Sequence, residues 1–245
     1  MIRLEDVTKW YDGRAVLDHV SLHLEPGMLW GLIGPAASGK SVLLKVVCGL
    51  IRPDEGRVIV DQRDITKDKE SDIMETRRKF GMLFQNNALF DFMTVGENVA
   101  FPIYWGSDIE PDRLRSLSVK RLQDVGLSGS EDKVPSELSG GMKKRVGIAR
   151  ATIADPKIVI YDEPTAGLDP VTTSKIYDLL RNLQQRNEST VLAVSSDVQA
   201  IRGFVEHIAV IHQGRILYNG PERELDSCAD PVVHQFIRGD ADGPL

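Results

Sequence analysis

Gly34-Pro35-Ala36-Ala37-Ser38-Gly39-Lys40-Ser41 joins an apolar run, Met28 to Ile33, to a segment of helical periodicity, Ser41 to Cys48. The stretch satisfies G-x-x-x-x-G-K-[ST] at every fixed position, between a strand and a helix, the setting in which that pattern has a physical meaning. Gly34 and Gly39 allow the backbone to curl until its N–H groups and the start of the following helix face phosphate oxygens. Lys40 adds a point charge at the β- and γ-phosphates, and Ser41 offers a hydroxyl to Mg²⁺. In the helix Val42, Leu43, Val46 and Val47 form one apolar face, and Gly49 is the expected stop.

A loop of this kind needs a carboxylate to hold the metal and a group to orient the attacking water. Ile158-Val159-Ile160-Tyr161-Asp162-Glu163 offers both at the end of an apolar strand. Asp162 is expected toward Mg²⁺ and Glu163 toward the γ-phosphate.

Outward from these two segments, strand-like stretches recur at Ile2 to Val7, Val16 to Leu24, Arg57 to Val60 and Phe80 to Phe84. From Asn86 to about Asp155 the pattern turns helical. Thr94 and Glu97 stand at capping-box spacing, and Leu114, Leu117, Leu122 and Val125 recur before Gly126. Short apolar runs return at Ile158 to Tyr161, Val191 to Val194 and Ile208 to Ile211, the first two separated by a helical stretch from Val171 to Gln185. Alternation of this kind predicts an α/β fold with an inserted helical lobe.

The chain has 245 residues, 42% apolar and 27% charged, which excludes a disordered or low-complexity protein. A net charge of -6 argues against a nucleic-acid partner, which calls for a basic face. No run approaches the roughly 20 apolar residues of a membrane-spanning helix. The opening MIRLEDVTKW lacks the layout of a signal peptide, so a cytosolic location is expected. Cys48 and Cys228 suggest neither a disulfide nor a zinc framework.

Leu138-Ser139-Gly140-Gly141-Met142 lies about a hundred residues after the phosphate loop and about twenty before Asp162. With it the chain resembles the ATP-binding subunit of an ABC transporter, whose signature is LSGGQ; Met142 replaces the glutamine. A serine and two glycines at a helix start make a second anion site by the same helix-terminus physics. The resemblance implies a P-loop (RecA-like) core with an antiparallel β subdomain and a helical subdomain. It also implies a head-to-tail dimer, in which Ser139, Gly140 and Gly141 of one copy cover the ATP bound to the loop of the other. Residues 1–238 are read as a single nucleotide-binding domain, with 1–85 and 156–225 as the α/β core, 86–155 as the helical insertion and 239–245 as a loosely held tail.

Further roles follow from the resemblance. Tyr11 stands where an aromatic stacks on adenine, with Trp10 beside it as a second candidate. Gln85 stands where a glutamine links Mg²⁺ and water to the transport domain, and Gly167-Leu168-Asp169-Pro170 forms the loop that couples the two sites. The pattern departs after the strand Thr190 to Val194, where Ser196 takes the place of a histidine that contacts the γ-phosphate. A hydroxyl is shorter than imidazole and is no poised acid or base near neutrality, so slow hydrolysis is expected.

Residues 80–105 hold seven of the fifteen aromatic residues and no Lys or Arg. Two readings fit that composition: a groove for a partner, or the helical lobe's own core. Under the resemblance the groove receives a cytoplasmic helix of a membrane permease. The wording LFQ-x-x-ALF-D-x-MTV-x-ENVAFP is similar to the Mla-type ATPases of phospholipid transporters that work with MCE-domain proteins. That similarity implies lipid cargo, accessory subunits, and a place on the cytoplasmic face of an inner membrane.

Overall fold

The computed structural model describes residues 1–104 and 108–245. Trp105, counted in the aromatic window above, lies outside the described residues. In chain order the elements are β1 (Ile2–Tyr11), β2 (Arg14–Leu24), β3 (Leu29–Ile33), α1 (Lys40–Val47), β4 (Glu55–Val60), β5 (Arg63–Asp64), α2 (Glu70–Arg77) and β6 (Phe80–Leu83). There follow α3 (Val95–Tyr104), α4 (Pro111–Asp124), α5 (Gly140–Thr152), β7 (Ile158–Asp162), α6 (Pro170–Asn187), β8 (Thr190–Val194), α7 (Val198–Arg202), β9 (His207–His212), β10 (Arg215–Pro221) and α8 (Pro231–Arg238). Two compact units result, Met1–Phe80 with Ser189–Leu245, and Gly81–Glu188.

In the first unit β2, β1, β4 and β5 form an antiparallel sheet. Alternation along β1 sends Ile2 and Leu4 into the core while Arg3 and Glu5 face out, and the pairs Ile2↔Leu24 and Leu4↔Val58 lock that register. The β1–β2 connection is the tight turn Asp12-Gly13, both residues at positive φ, which suits the twist of a hairpin. That turn extends β1 well beyond the predicted Val7 and brings Trp10 and Tyr11 to its exposed end.

The second sheet of this unit places β10, β9, β3 and β8 side by side. β3 pairs in parallel with both β8 and β9, and all five of its residues are buried, as expected for an inner parallel strand covered on both faces. A Cβ on Gly31 would lie 3.2–3.3 Å from Val205, Ile201 and Ile208, so the missing side chain lets α7 and the loop after it pack onto the strand. α2, β10 and α8 go beyond the sequence expectation. α2 buries only Ile73 and Thr76, too little apolar surface to show as a periodic face. His207 packs on Trp30 with ring centroids 4.7 Å apart. The tail after α8 stays exposed, yet Leu245 N donates to Gln235 Oε1 at 2.7 Å and Gln235 Nε2 donates to the Asp240 carbonyl at 3.1 Å.

The second unit packs α3 and α4 with α5, beside the neighbouring strands β6 and β7. Two glycines permit the closest approaches. A Cβ on Gly81 would sit 1.9 Å from the Ala151 carbonyl oxygen, and one on Gly147 would sit 2.5 Å from Leu83 Cδ1. The Thr94 and Glu97 capping box is formed: Glu97 N donates to Thr94 Oγ1 at 3.2 Å and Thr94 N to Glu97 Oε2 at 2.7 Å.

Candidate active site

In the first unit the phosphate loop begins where β3 ends. Gly34 turns the chain at φ 157° and Gly39 at φ 108°; a Cβ at the first would meet the Ile211 carbonyl oxygen at 2.1 Å, and at the second the Val16 carbonyl oxygen at 2.8 Å. Between them Ala37 takes φ 58°. The N-terminus of α1 carries no side-chain cap, which leaves its positive dipole end to serve an anion. Lys40 Nζ is held across the loop, donating to the carbonyls of Gly34 at 2.6 Å and Pro35 at 2.7 Å.

A cavity of about 580 Å³ opens on this loop, lined by Ala37, Ser38, Gly39, Lys40 and Ser41. Ser38 Oγ is buried without a hydrogen-bond partner, a polar atom that an anion would satisfy. Beside Val42, the remaining lining comes from Arg14 to Val16 and from Gln213 and Gly214, which sequence reasoning missed. Their signal is the Gln213-Gly214 turn, both residues at positive φ, joining β9 to β10. Gly214 N donates to the Ser38 carbonyl at 3.0 Å and so ties that turn to the loop. Tyr11, Gly34, Pro35 and Ala36 are not among the lining residues; Tyr11 is 43% exposed, with the Lys9 ammonium 5.6 Å from its ring centroid.

Ser196 follows β8, beside the end of β3 that feeds the loop, and is exposed. Its neighbours shape the turn: Ser195 Oγ accepts from Asp197 N at 3.0 Å, and Asp197 caps α7 through Ala200 N. Ser196 does not line the cavity.

The second unit collects the other candidates. Asp162 ends β7, and Glu163 after it takes φ 50°, a left-handed conformation that costs a non-glycine residue energy and is typical of functional turns. Gln85 is exposed just beyond β6. Ser139 caps α5, accepting from Met142 N at 3.3 Å, with Gly140 and Gly141 in its first turn. Asp169 caps α6, its Oδ1 accepting from Val171 N and Thr172 N, each at 3.0 Å. The Thr172 hydroxyl adds a further bond to Asp169, which holds that carboxyl below its usual range. A Cβ on Gly141 would lie 3.5 Å from Thr172 Cγ2, so the two helix starts are neighbours.

Two buried cations of α5 were not foreseen. Lys144, 5% exposed, donates to the carbonyls of Gln85 at 2.9 Å and Glu163 at 2.8 Å. Burial lowers its pKa, opposed by the Glu163 and Asp162 carboxylates. Arg150 donates to the carbonyls of Ala88, at 2.6 Å, and Asn87, both residues at positive φ. Two basic residues six apart in a helix read as solvated in one dimension; only packing reveals that both point inward.

The aromatic window divides between the two readings. Phe90 and Phe101 stack at 4.6 Å, an internal contact, whereas Phe92 is 81% exposed. A groove of about 680 Å³ is lined by Phe92, Met93, Ala100, Phe101, Tyr104 and Leu114, among others. Asn98, fully buried, pins its rim: Oδ1 accepts from Phe90 N at 2.8 Å, and Nδ2 faces the carbonyls of Phe90, Met93 and Thr94 at 3.0–3.2 Å.

A glycine-rich loop between an inner parallel strand and an uncapped helix start, with its lysine laid across it, defines a P-loop nucleotide-binding protein. Within that class the chain belongs to the ABC transporter family, whose model matches residues 17–166. Its members are ATPases, and this chain is an ATP-binding subunit of that kind. It is 36% identical over 244 residues to the "Probable ribonucleotide transport ATP-binding protein mkl" of Mycobacterium leprae, covering 100% of this chain and 70% of that one. It is 33% identical over 245 residues to the "Intermembrane phospholipid transport system ATP-binding protein MlaF" of Haemophilus influenzae, covering 100% and 93%. A solved structure, the "Dimeric structure of a post-hydrolysis state of the ATP-binding cassette MJ0796 bound to ADP and Pi", superposes with a TM-score of 0.84 at 31% identity, over 91% of this chain and 99% of that one.

Proposed function

We propose that the chain hydrolyses ATP between two copies of itself to drive a membrane permease that moves phospholipid across a cell envelope. The ATP phosphates lie on the loop from Gly34 to Ser41, where the Lys40 ammonium exchanges the carbonyls of Gly34 and Pro35 for β- and γ-phosphate oxygens. Tyr11 stacks on the adenine. Ser41, Asp162 and Gln85 would hold Mg²⁺, which when bound neutralises charge on the β- and γ-phosphates. Glu163 orients the attacking water as its general base, with Ser196 able to donate one hydrogen bond toward the γ-phosphate.

The observation that carries the two-copy reading is Gly140. It is exposed, its φ is not in the left-handed region, and a Cβ there would meet nothing within 4 Å. Among the described residues nothing therefore calls for glycine at this helix start. Close approach of a phosphate and a second copy does, with Ser139 and Gly141 beside it and Asp169 on the neighbouring helix start.

The groove bordered by Phe92 and Tyr104 suits an apolar helix of the permease, and Gln85 in the same unit would carry that contact to the metal. MCE-domain and accessory subunits would complete the assembly. Among the described residues no helix is long and apolar enough to cross a membrane, and the proposed seat is peripheral, on the cytoplasmic face of the inner membrane. The phospholipid assignment is supported by the match to MlaF along the whole chain.

Size-exclusion chromatography of Glu163→Gln with MgATP tests the core of this proposal, since a variant that binds but does not hydrolyse accumulates the closed dimer. A protein that stays monomeric with its partners present, or whose turnover survives the substitution, refutes it. Co-purification from detergent, with identification of the bound permease and lipid, tests the cargo. Ser196 also supports a second reading, an ATP-closed clamp with little turnover; steady-state ATPase measured against Glu163→Gln separates the two.

A further inference from the structure

We infer that Lys144 is a positioning residue for hydrolysis, fixing the spacing between the glutamine loop and the turn that carries Glu163. This deepens the reading of Gln85 and Glu163 as metal- and water-handling residues, and rests on it. The ammonium lies between two main-chain oxygens, those of Gln85 at 2.9 Å and Glu163 at 2.8 Å, and so joins those two carbonyls. Both ends need such an anchor. Glu163 sits at φ 50°, and the segment after Gln85 passes through Asn87 and Ala88, both at positive φ. Backbone held in sparsely populated conformations relaxes unless its surroundings over-determine it.

The anchor belongs to α5, one turn beyond the Ser139 cap and the two glycines. A shift of this helix start, as when a phosphate docks on it, is transmitted through a buried and rigidly bonded ammonium to both carbonyls together. Arg150 repeats the arrangement two turns further along, gripping Asn87 and Ala88. The helix thus holds the glutamine loop at two points and the Glu163 turn at one. Lys144 touches no reacting atom; it acts through the residues it holds.

Steady-state ATPase of Lys144→Met, Lys144→Arg and Glu163→Gln tests this assignment. Met keeps the length and apolar stem but donates nothing; a misplacement on the order of 1 Å at the reacting group lowers kcat by about tenfold to a hundredfold. KM for ATP should stay within about twofold, because the phosphate loop lies in the other unit and is unaltered. Lys144→Arg, whose fork can donate to two carbonyls, should recover most of kcat. Loss of turnover in Glu163→Gln together with an unchanged kcat in Lys144→Met overturns the Lys144 assignment alone. A Met variant that loses kcat and ATP affinity in parallel, with no recovery in Arg, also overturns it by marking a purely structural role. Full turnover in Glu163→Gln overturns the general-base reading beneath it.

Discussion

Replacing Asn98 by alanine should destabilise the protein by about 3 kcal/mol, and the figure follows from its contacts. The side chain is fully buried on α3 and, among the described residues, its hydrogen bonds go to the segment 90–94. Its Oδ1 accepts one bond from Phe90 N, and its two amide protons are shared among the carbonyls of Phe90, Met93 and Thr94. At most three full hydrogen bonds are therefore lost, at about 1 kcal/mol net each. Phe90, Met93 and Thr94 are half-buried, so water can reach part of what is exposed and keeps the cost at the lower end for orphaned groups. For a chain of this length the loss corresponds to a fall in Tm of roughly 6–12 °C. Asn98→Asp provides the control. It keeps the acceptor but aims a carboxylate at three carbonyl oxygens, so its Tm at neutral pH should fall at least as far. Calorimetry or thermal circular dichroism reads both. A shift under about 2 °C for the alanine variant, or an aspartate variant more stable than it, would show that Asn98 does not hold the groove rim.

Gly39→Ala forces a Cβ to within 2.8 Å of the Val16 carbonyl at φ 108°, and titration with a fluorescent ATP analogue should show affinity about fivefold to a hundredfold weaker, from strain of about 1–3 kcal/mol in the loop. Thr94→Ala removes one half of a formed capping box and should cost about 1 kcal/mol in urea unfolding, with the m-value unchanged. Burial pushes the Cys48 thiol up to about 12, so almost none of it is thiolate at pH 8. A thiol reagent should then modify the half-buried Cys228 first, with Cys48 reacting only on unfolding; equal rates in the native protein would contradict the burial.

Legibility along the chain follows the range of the forces involved. The phosphate loop needs glycine where φ is positive and where a Cβ would strike Ile211 or Val16, so its chemistry is written in eight consecutive residues. The Thr94 box and the buried runs of β3, β7 and β8 are likewise local, set by spacing and by the need to cover apolar strands. α2 escaped notice because only two of its eight residues are buried. β10 was missed because its outer-strand burial is partial throughout and gives no clean alternation.

Lys144 and Arg150 show where one dimension stops being informative. Both look like solvated charges in KKRVGIARAT, and no periodicity marks them as inward. Their partners are main-chain oxygens 59 and 62 residues away, at Gln85 and Ala88, and a carbonyl has no residue type to recognise. The nucleotide-binding loop and the alternation of strands and helices could thus be read from order and spacing alone, since steric limits on φ and burial of apolar runs act between near neighbours. Which buried cations bind the main-chain carbonyls of Gln85, Glu163 and Ala88, and which aromatic rings face a groove, depended on packing, because those contacts join segments that only folding brings together.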